Sequence, residues 1–174
     1  VNDAGTHLID TYSVRQIPSV VMLRSLTNRR TRQCHESSFP LIVSSRTNRG
    51  DDIAEIFKGH GEILDVENIV DMRTLATHTE KKVAIHFTTP HSIGDHQLIF
   101  SGRDNCPTQY LPIYQMRTTL HLAADLVVLA NCQTGQPPAP EGIAGLSHSF
   151  LNSGASSVLC AQWAITNSKT NTYE

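Results

Sequence analysis

Apolar residues in this chain fall into short runs set between polar stretches of a different period. The clearest runs are "PLIVSS" at residues 40–45, "KKVAIHFTT" at 81–89, "LVVLA" at 126–130 and "SSVLCAQW" at 156–163. Each is brief, rich in β-branched or aromatic residues, and bounded by Pro, Gly or small polar residues. Runs of that kind are strands buried on both faces, too short for buried helices. "EILDV" at residues 62–66 is a further candidate strand. Near the start, "HLIDTYSVRQIPSVVML" alternates apolar and polar positions before a short apolar run, which predicts a strand or hairpin with Pro18 at an edge or break.

Between these runs the spacing turns helical. In "GDDIAEIFKGHG", Asp51 or Asp52 is placed to cap a short helix, Ile53, Ile56 and Phe57 share one face, and Gly59 stops it. Asn68 is a candidate cap for a helix carried by Ile69, Met72 and Leu75 to about Ala76. A turn-rich stretch through "SGRDNCPTQYLP" precedes a predicted helix over residues 114–123. Pro140 and Glu141 read as a helix first turn, Ile143, Leu146, Phe150 and Leu151 as its apolar stripe, and Gly154 as its end. Strands that alternate with helices predict an α/β domain with a mostly parallel sheet and helices on both faces. In such sheets ligands gather at the carboxyl ends of the strands.

Composition narrows the picture. With 174 residues and 39% hydrophobic content, the chain suits one core, hence a single domain over residues 1–174. It begins without Met and ends in polar residues just after an apolar run, so truncation at both ends of a longer protein is expected. A net charge of −2 argues against nucleic acid or an anionic membrane as partner. Arg29, Arg30 and Arg32 form the one basic cluster, and its polar surroundings suggest a solvated loop. No apolar run approaches the roughly 18 residues of a membrane span. The four cysteines, Cys34, Cys106, Cys132 and Cys160, show no paired spacing, which points to a reducing, intracellular setting, taken as cytoplasmic. His86, His91 and His96 lack a paired ligand motif, so neither a metal nor another cofactor is expected.

Candidate chemistry centres on "ADLVVLANCQTG", residues 124–135. Cys132 follows the carboxyl end of a predicted central strand, where a loop can lift a thiol toward a substrate. The alternative is a small apolar residue closing a buried strand, since cysteine is among the most buried residue types. A cysteine nucleophile needs a base to take its proton. His86 lies inside the neighbouring strand and suits a packed, hydrogen-bonded role. His91 follows Pro90 in what reads as the exit loop, where its imidazole can reach across to Cys132. His121 and His148 fall on predicted helices as surface or cap residues, and Cys160 reads as core.

At these residues the chain resembles the CHAT domain, a caspase-like peptidase domain associated with tetratricopeptide repeats. The family pattern "DLVVLSACETG" followed by "GEG…GLARAFLxAGAxSVVASLW" is matched here by "DLVVLANCQTG" from Asp125 and "EGIAGLSHSFLNSGASSVLCAQW" from Glu141. More loosely, "HLIDTYSVRQIPS" is similar to the family's "YLIERYAVSYLPS". The resemblance implies a caspase-like three-layer αβα sandwich, a cysteine–histidine dyad and cleavage of peptide bonds. Cys132 matches the nucleophile position, and its backbone N–H would share an oxyanion hole with the N–H of a glycine after the catalytic histidine.

The histidine motif departs from that pattern. Where the family reads "HFATHG", this chain reads "HFTTPHS". Without a gap, Pro90 stands on the catalytic histidine and His91 on the glycine; with a one-residue insertion His91 becomes the base, and Ser92 stands where glycine belongs. Glycine lets the backbone approach a substrate carbonyl and adopt φ values that other residues avoid, and an oxyanion donor contributes about 3 kcal/mol. The expected function is therefore a catalytically degenerate module serving protein interaction or regulation, beside tetratricopeptide repeats in the full-length chain. The alternative is an active cysteine endopeptidase using Cys132 and His91. Either way the expected partner is a protein or peptide.

Overall fold

The computed structural model describes residues 7, 19–30, 40–44, 55–65, 71–88, 91–92, 97–100, 109–130 and 145–160. Asp51, Asp52, Asn68, Pro90, Cys34, Cys106, Cys132, Glu141 and Trp163 lie outside the described residues. Along the chain the elements are α1 (Val20–Arg30), β1 (Leu41–Ser44), β2 (Glu62–Asp65), α2 (Met72–Thr79), β3 (Ala84–Phe87), β4 (His91–Ser92), β5 (Gln97–Phe100), β6 (Gln109–Pro112), α3 (Ile113–Thr119), β7 (Leu126–Leu129), α4 (Leu146–Asn152) and β8 (Val158–Cys160).

Five strands form a sheet in the order β2-β1-β3-β7-β8, with each neighbouring pair parallel. The runs at 40–45, 81–89, 126–130 and 156–163 all contribute strands to it. Register sorts the side chains into faces. Leu41, Ile85, Val127 and Val158 form one row; Leu64, Val43, Phe87, Leu129 and Cys160 form another. Successive side chains alternate across a strand, so these two rows share a face. They meet Met72 and Leu75 of α2, Ile113 and Met116 of α3, and Leu146 and Phe150 of α4 in one core. Phe87 and Phe150 are both fully buried, with ring centroids 5.1 Å apart.

The intervening row, Ile63, Ile42, His86, Val128 and Leu159, faces the other way. Phe57, from the turn that precedes β2, lies against His86 on that side. The result is an α/β sandwich around a parallel sheet, consistent with the caspase-like architecture.

Local chemistry accounts for the helix ends. Asp71 caps α2 by accepting a 2.8 Å hydrogen bond from the Thr74 N–H, so the cap sits at Asp71 and the helix runs on to Thr79, past the expected end at Ala76. Glycine serves at the far end of α4. Gly154 has φ +122, and any Cβ there would overlap the Leu122 carbonyl oxygen.

Two expectations are corrected. The segment read as a strand or hairpin up to Leu23 is helical from Val20, because Ser19 accepts a 3.1 Å hydrogen bond from the Met22 N–H and starts α1. Arg29 and Arg30 therefore belong to a helix, where a solvated loop was expected. Arg29 is half-buried and donates to the Leu151 carbonyl at 2.6 Å, tying α1 to the last turn of α4. The turn-rich stretch also holds more order than its composition suggests. β4, β5 and β6 form an antiparallel sheet in which Leu98 and Leu111 are buried in the main core.

Candidate functional site

An open parallel sheet binds ligands at the carboxyl ends of its strands, in the crevice where the direction of strand addition reverses. Here β2 is added on one side of β1, and β3, β7 and β8 on the other, so the reversal falls between β1 and β3. Thr88 stands at this edge. Its N–H and its hydroxyl both donate to the Val43 carbonyl, at 3.0 and 3.2 Å, locking the end of β3 to β1. One strand further along, the Ala130 N–H donates to the Phe87 carbonyl at 3.0 Å, so β7 leaves the sheet level with β3.

These bonds set where the candidate residues depart. Cys132 follows Ala130 by two residues and lies outside the described part of the chain. The backbone of His91 is described, and it occupies β4, opposite Leu98 of β5 in an antiparallel ladder. It is thus in a strand of the second sheet, and the expected exit loop is corrected.

His86 is packed as expected, but it is not hydrogen-bonded at Nε2. That atom is buried and has no hydrogen-bond partner among the described residues. Its ring centroid lies 6.0 Å from that of Phe57 at an interplanar angle of 51°. Burial lowers its pKa from the ordinary histidine value, so the imidazole is neutral near pH 7.

His121 is exposed beyond the end of α3. His148 is on α4 as expected but is half-buried, with its Nδ1 enclosed and unpartnered. Burial, and then the nearby positive charge of Arg117, lower its pKa. Cys160 is half-buried at the end of β8, and burial pushes its thiol up against a smaller opposing effect of a hydrogen bond with Ser147. A raised pKa disfavours the thiolate, so Cys160 is a poor nucleophile.

Among the described residues no group of three or more His, Cys, Asp or Glu side chains is placed to hold a metal ion. No helix among them is long and apolar enough to cross a membrane. Sequence reasoning did not find the edge role of Thr88 or the contact between Phe57 and His86. The first rests on a hydroxyl that reads as an ordinary strand threonine, and the second joins residues distant in the chain.

A parallel α/β sandwich whose cysteine- and histidine-bearing segments leave adjacent strands at one edge has the organisation of a caspase-like domain. The family model for the CHAT domain matches residues 1–172, essentially the whole chain. The chain belongs to the CHAT domain family. No curated protein and no solved structure matches it.

Proposed function

We propose that this chain is a caspase-like module that binds polypeptide in an interaction or regulatory role and no longer hydrolyses peptide bonds. The observation that carries the reading is the state of the histidine motif. His91 and Ser92 are both held in β4, in register with Leu98 and Gln97. A serine in an extended strand does not replace a glycine chosen for unusual φ values and close approach, so the second oxyanion donor is compromised. The polypeptide-binding part of the reading is supported by family membership and by the reversal of strand order between β1 and β3, whose carboxyl edge is where such sheets bind ligands. The same reading places tetratricopeptide repeats in the full-length protein and, from the unpaired cysteine spacing, a reducing cytoplasmic setting.

One observation favours a second reading, an active endopeptidase with Cys132 as nucleophile and His91 as base. β3 and β7 are neighbours in register from Ala84↔Leu126 to Phe87↔Leu129, so the segments bearing His91 and Cys132 start side by side. Labelling the intact chain with an electrophilic peptide separates the two. The degenerate module labels no faster than its Cys132→Ala variant, and His91→Ala changes nothing. A wild-type rate tenfold or more above Cys132→Ala, lost in His91→Ala, establishes the peptidase instead.

A further inference from the structure

The described helices are charged unlike the rest of the chain. The full sequence holds 14 Lys and Arg against 16 Asp and Glu. The four described helices nevertheless contain no Asp or Glu, while Arg24, Arg29 and Arg30 lie on α1, Arg73 on α2 and Arg117 on α3. The helix dipole favours acidic residues in a first turn, so their absence from all four is not what helix formation would select. α2, α3 and α4 cover the same face of the sheet around one core, and Arg29 fastens α1 to the last turn of α4. The arginines thus collect in one layer. Asp71 and Glu80 stand at the two ends of α2, and Asp71 is engaged as its cap. On α3, Tyr114, Arg117 and Thr118 are exposed at spacings of three and four residues, which makes one outward stripe, and Tyr114 is 72% exposed. Arg24 and Arg73 are exposed too, and neither Arg24 nor Arg117 is ion-paired among the described residues.

We infer that this helical layer docks an acidic segment of another polypeptide, whose carboxylates pair with Arg117 and the other exposed arginines and whose apolar groups lie on the Tyr114 ring. Arginine receives a carboxylate through two parallel N–H bonds, and tyrosine and arginine are side chains enriched among the anchors of protein interfaces. The charge is confined, which selects a polypeptide segment over nucleic acid or an anionic bilayer. Physiological salt screens surface charges beyond about 8 Å, so a short acidic segment lying on the helices feels their arginines and little else. A longer polyanion or a bilayer reaches past the layer to the carboxylates that give the chain its net charge of −2. The surface is also distinct from the carboxyl edge. α3 leads through Leu120 to the amino end of β7, where the Asp125 N–H donates to the Val83 carbonyl just before β3 begins. Arg117, in the last turn of α3, therefore stands toward the opposite end of the sheet. Docking here is independent of the Cys132 and His91 segments.

The test is fluorescence anisotropy of short labelled peptides titrated with the 174-residue chain, one built of Glu-Glu-Leu repeats and one with Gln in place of each Glu, beside single-stranded DNA and vesicles of phosphatidylcholine with phosphatidylserine. The Glu peptide should bind about fivefold or more tightly than its Gln counterpart, and weaken as salt is raised. Arg117→Gln and Tyr114→Ala should each weaken it about threefold or more without lowering the thermal melt, since both side chains are exposed. Arg117→Lys, which keeps the charge, should weaken it less than Arg117→Gln. Lys58→Gln removes an exposed charge outside the layer and should leave binding unchanged. The docking surface is refuted if the Gln peptide binds as tightly, if Lys58→Gln costs as much as Arg117→Gln, if the DNA or the vesicles bind more tightly than the Glu peptide, or if the chain proves to be a dimer that Arg117→Gln dissociates. A Glu peptide that does not bind refutes it too, and leaves the carboxyl-edge reading to its own electrophilic probe.

Discussion

Gly154 shows how closely single positions are set. Its φ of +122 lies in a region closed to side chains, and its backbone passes so near Leu122 that a methyl group would meet the carbonyl oxygen. The approach is held by the Leu122 N–H donating to the Ser153 carbonyl at 2.7 Å, and by the Ser153 hydroxyl bonding to the Met116 and Ser149 carbonyls. Gly154→Ala should therefore cost about 2–4 kcal/mol in urea unfolding. A loss under about 0.5 kcal/mol, the range of ordinary surface changes, would show that the Leu122 backbone moves aside freely. Gly154 was recognisable as a helix stop because glycine after an apolar stripe is a local signal. The unpartnered Nε2 of His86 was not, because a missing partner is a property of the surroundings.

Among the elements, α1 is weakly packed. None of its residues from Val20 to Arg29 is fully buried; Met22, Ser25, Leu26 and Arg29 are half-buried at helical spacing, while Val20, Val21 and Leu23 are exposed. The charged hydrogen bond from Arg29 to the Leu151 carbonyl is favoured further because a cation there complements the carboxyl end of α4. Removing it with Arg29→Ala should cost about 1 kcal/mol locally. Hydrogen exchange should then quicken several-fold across α1 and stay unchanged in β3 and β7. Equal acceleration everywhere would show instead that α1 unfolds only with the whole domain. The same element was misread as a strand because an apolar run as short as "VVML" satisfies either period, and the Ser19 cap and the docking of Arg29 decide between them.

For the molecule as a whole, the two enclosed imidazoles predict the pH response. His86 and His148 both have folded pKa values lowered by burial, with the positive charge of Arg117 adding to the effect at His148. Above the unfolded value of about 6.5 both states are neutral and stability is level. As pH falls below it, the unfolded chain takes up protons first, and stability declines until the lowered folded values are passed. The urea midpoint should hold from pH 8 to about 6.5 and drop toward pH 5, less steeply in His86→Leu, with His148 contributing to what remains. A profile in His86→Leu identical to wild type would show that His86 does not titrate against burial. Asp71, whose pKa is lowered chiefly by its hydrogen bond from the Thr74 backbone, acts separately: its contribution is lost only in the acid range below its ordinary value.

The local pattern of the chain is enough to specify the parallel sheet. Strands buried on both faces must be apolar at nearly every position, and that demand is written locally in "LIV", "VAIHF" and "LVVLA". It also identified the family, through motifs that run along the chain without needing a partner in space. Tertiary structure alone decided the second sheet, because "HS", "QLIF" and "QYLP" become strands only by pairing with one another across intervening chain, with Leu98 and Leu111 buried in the main core. It likewise decided that His91 sits in a strand and that His86 is enclosed beside Phe57. Both depend on which residues meet across the fold, and no local pattern carries that information.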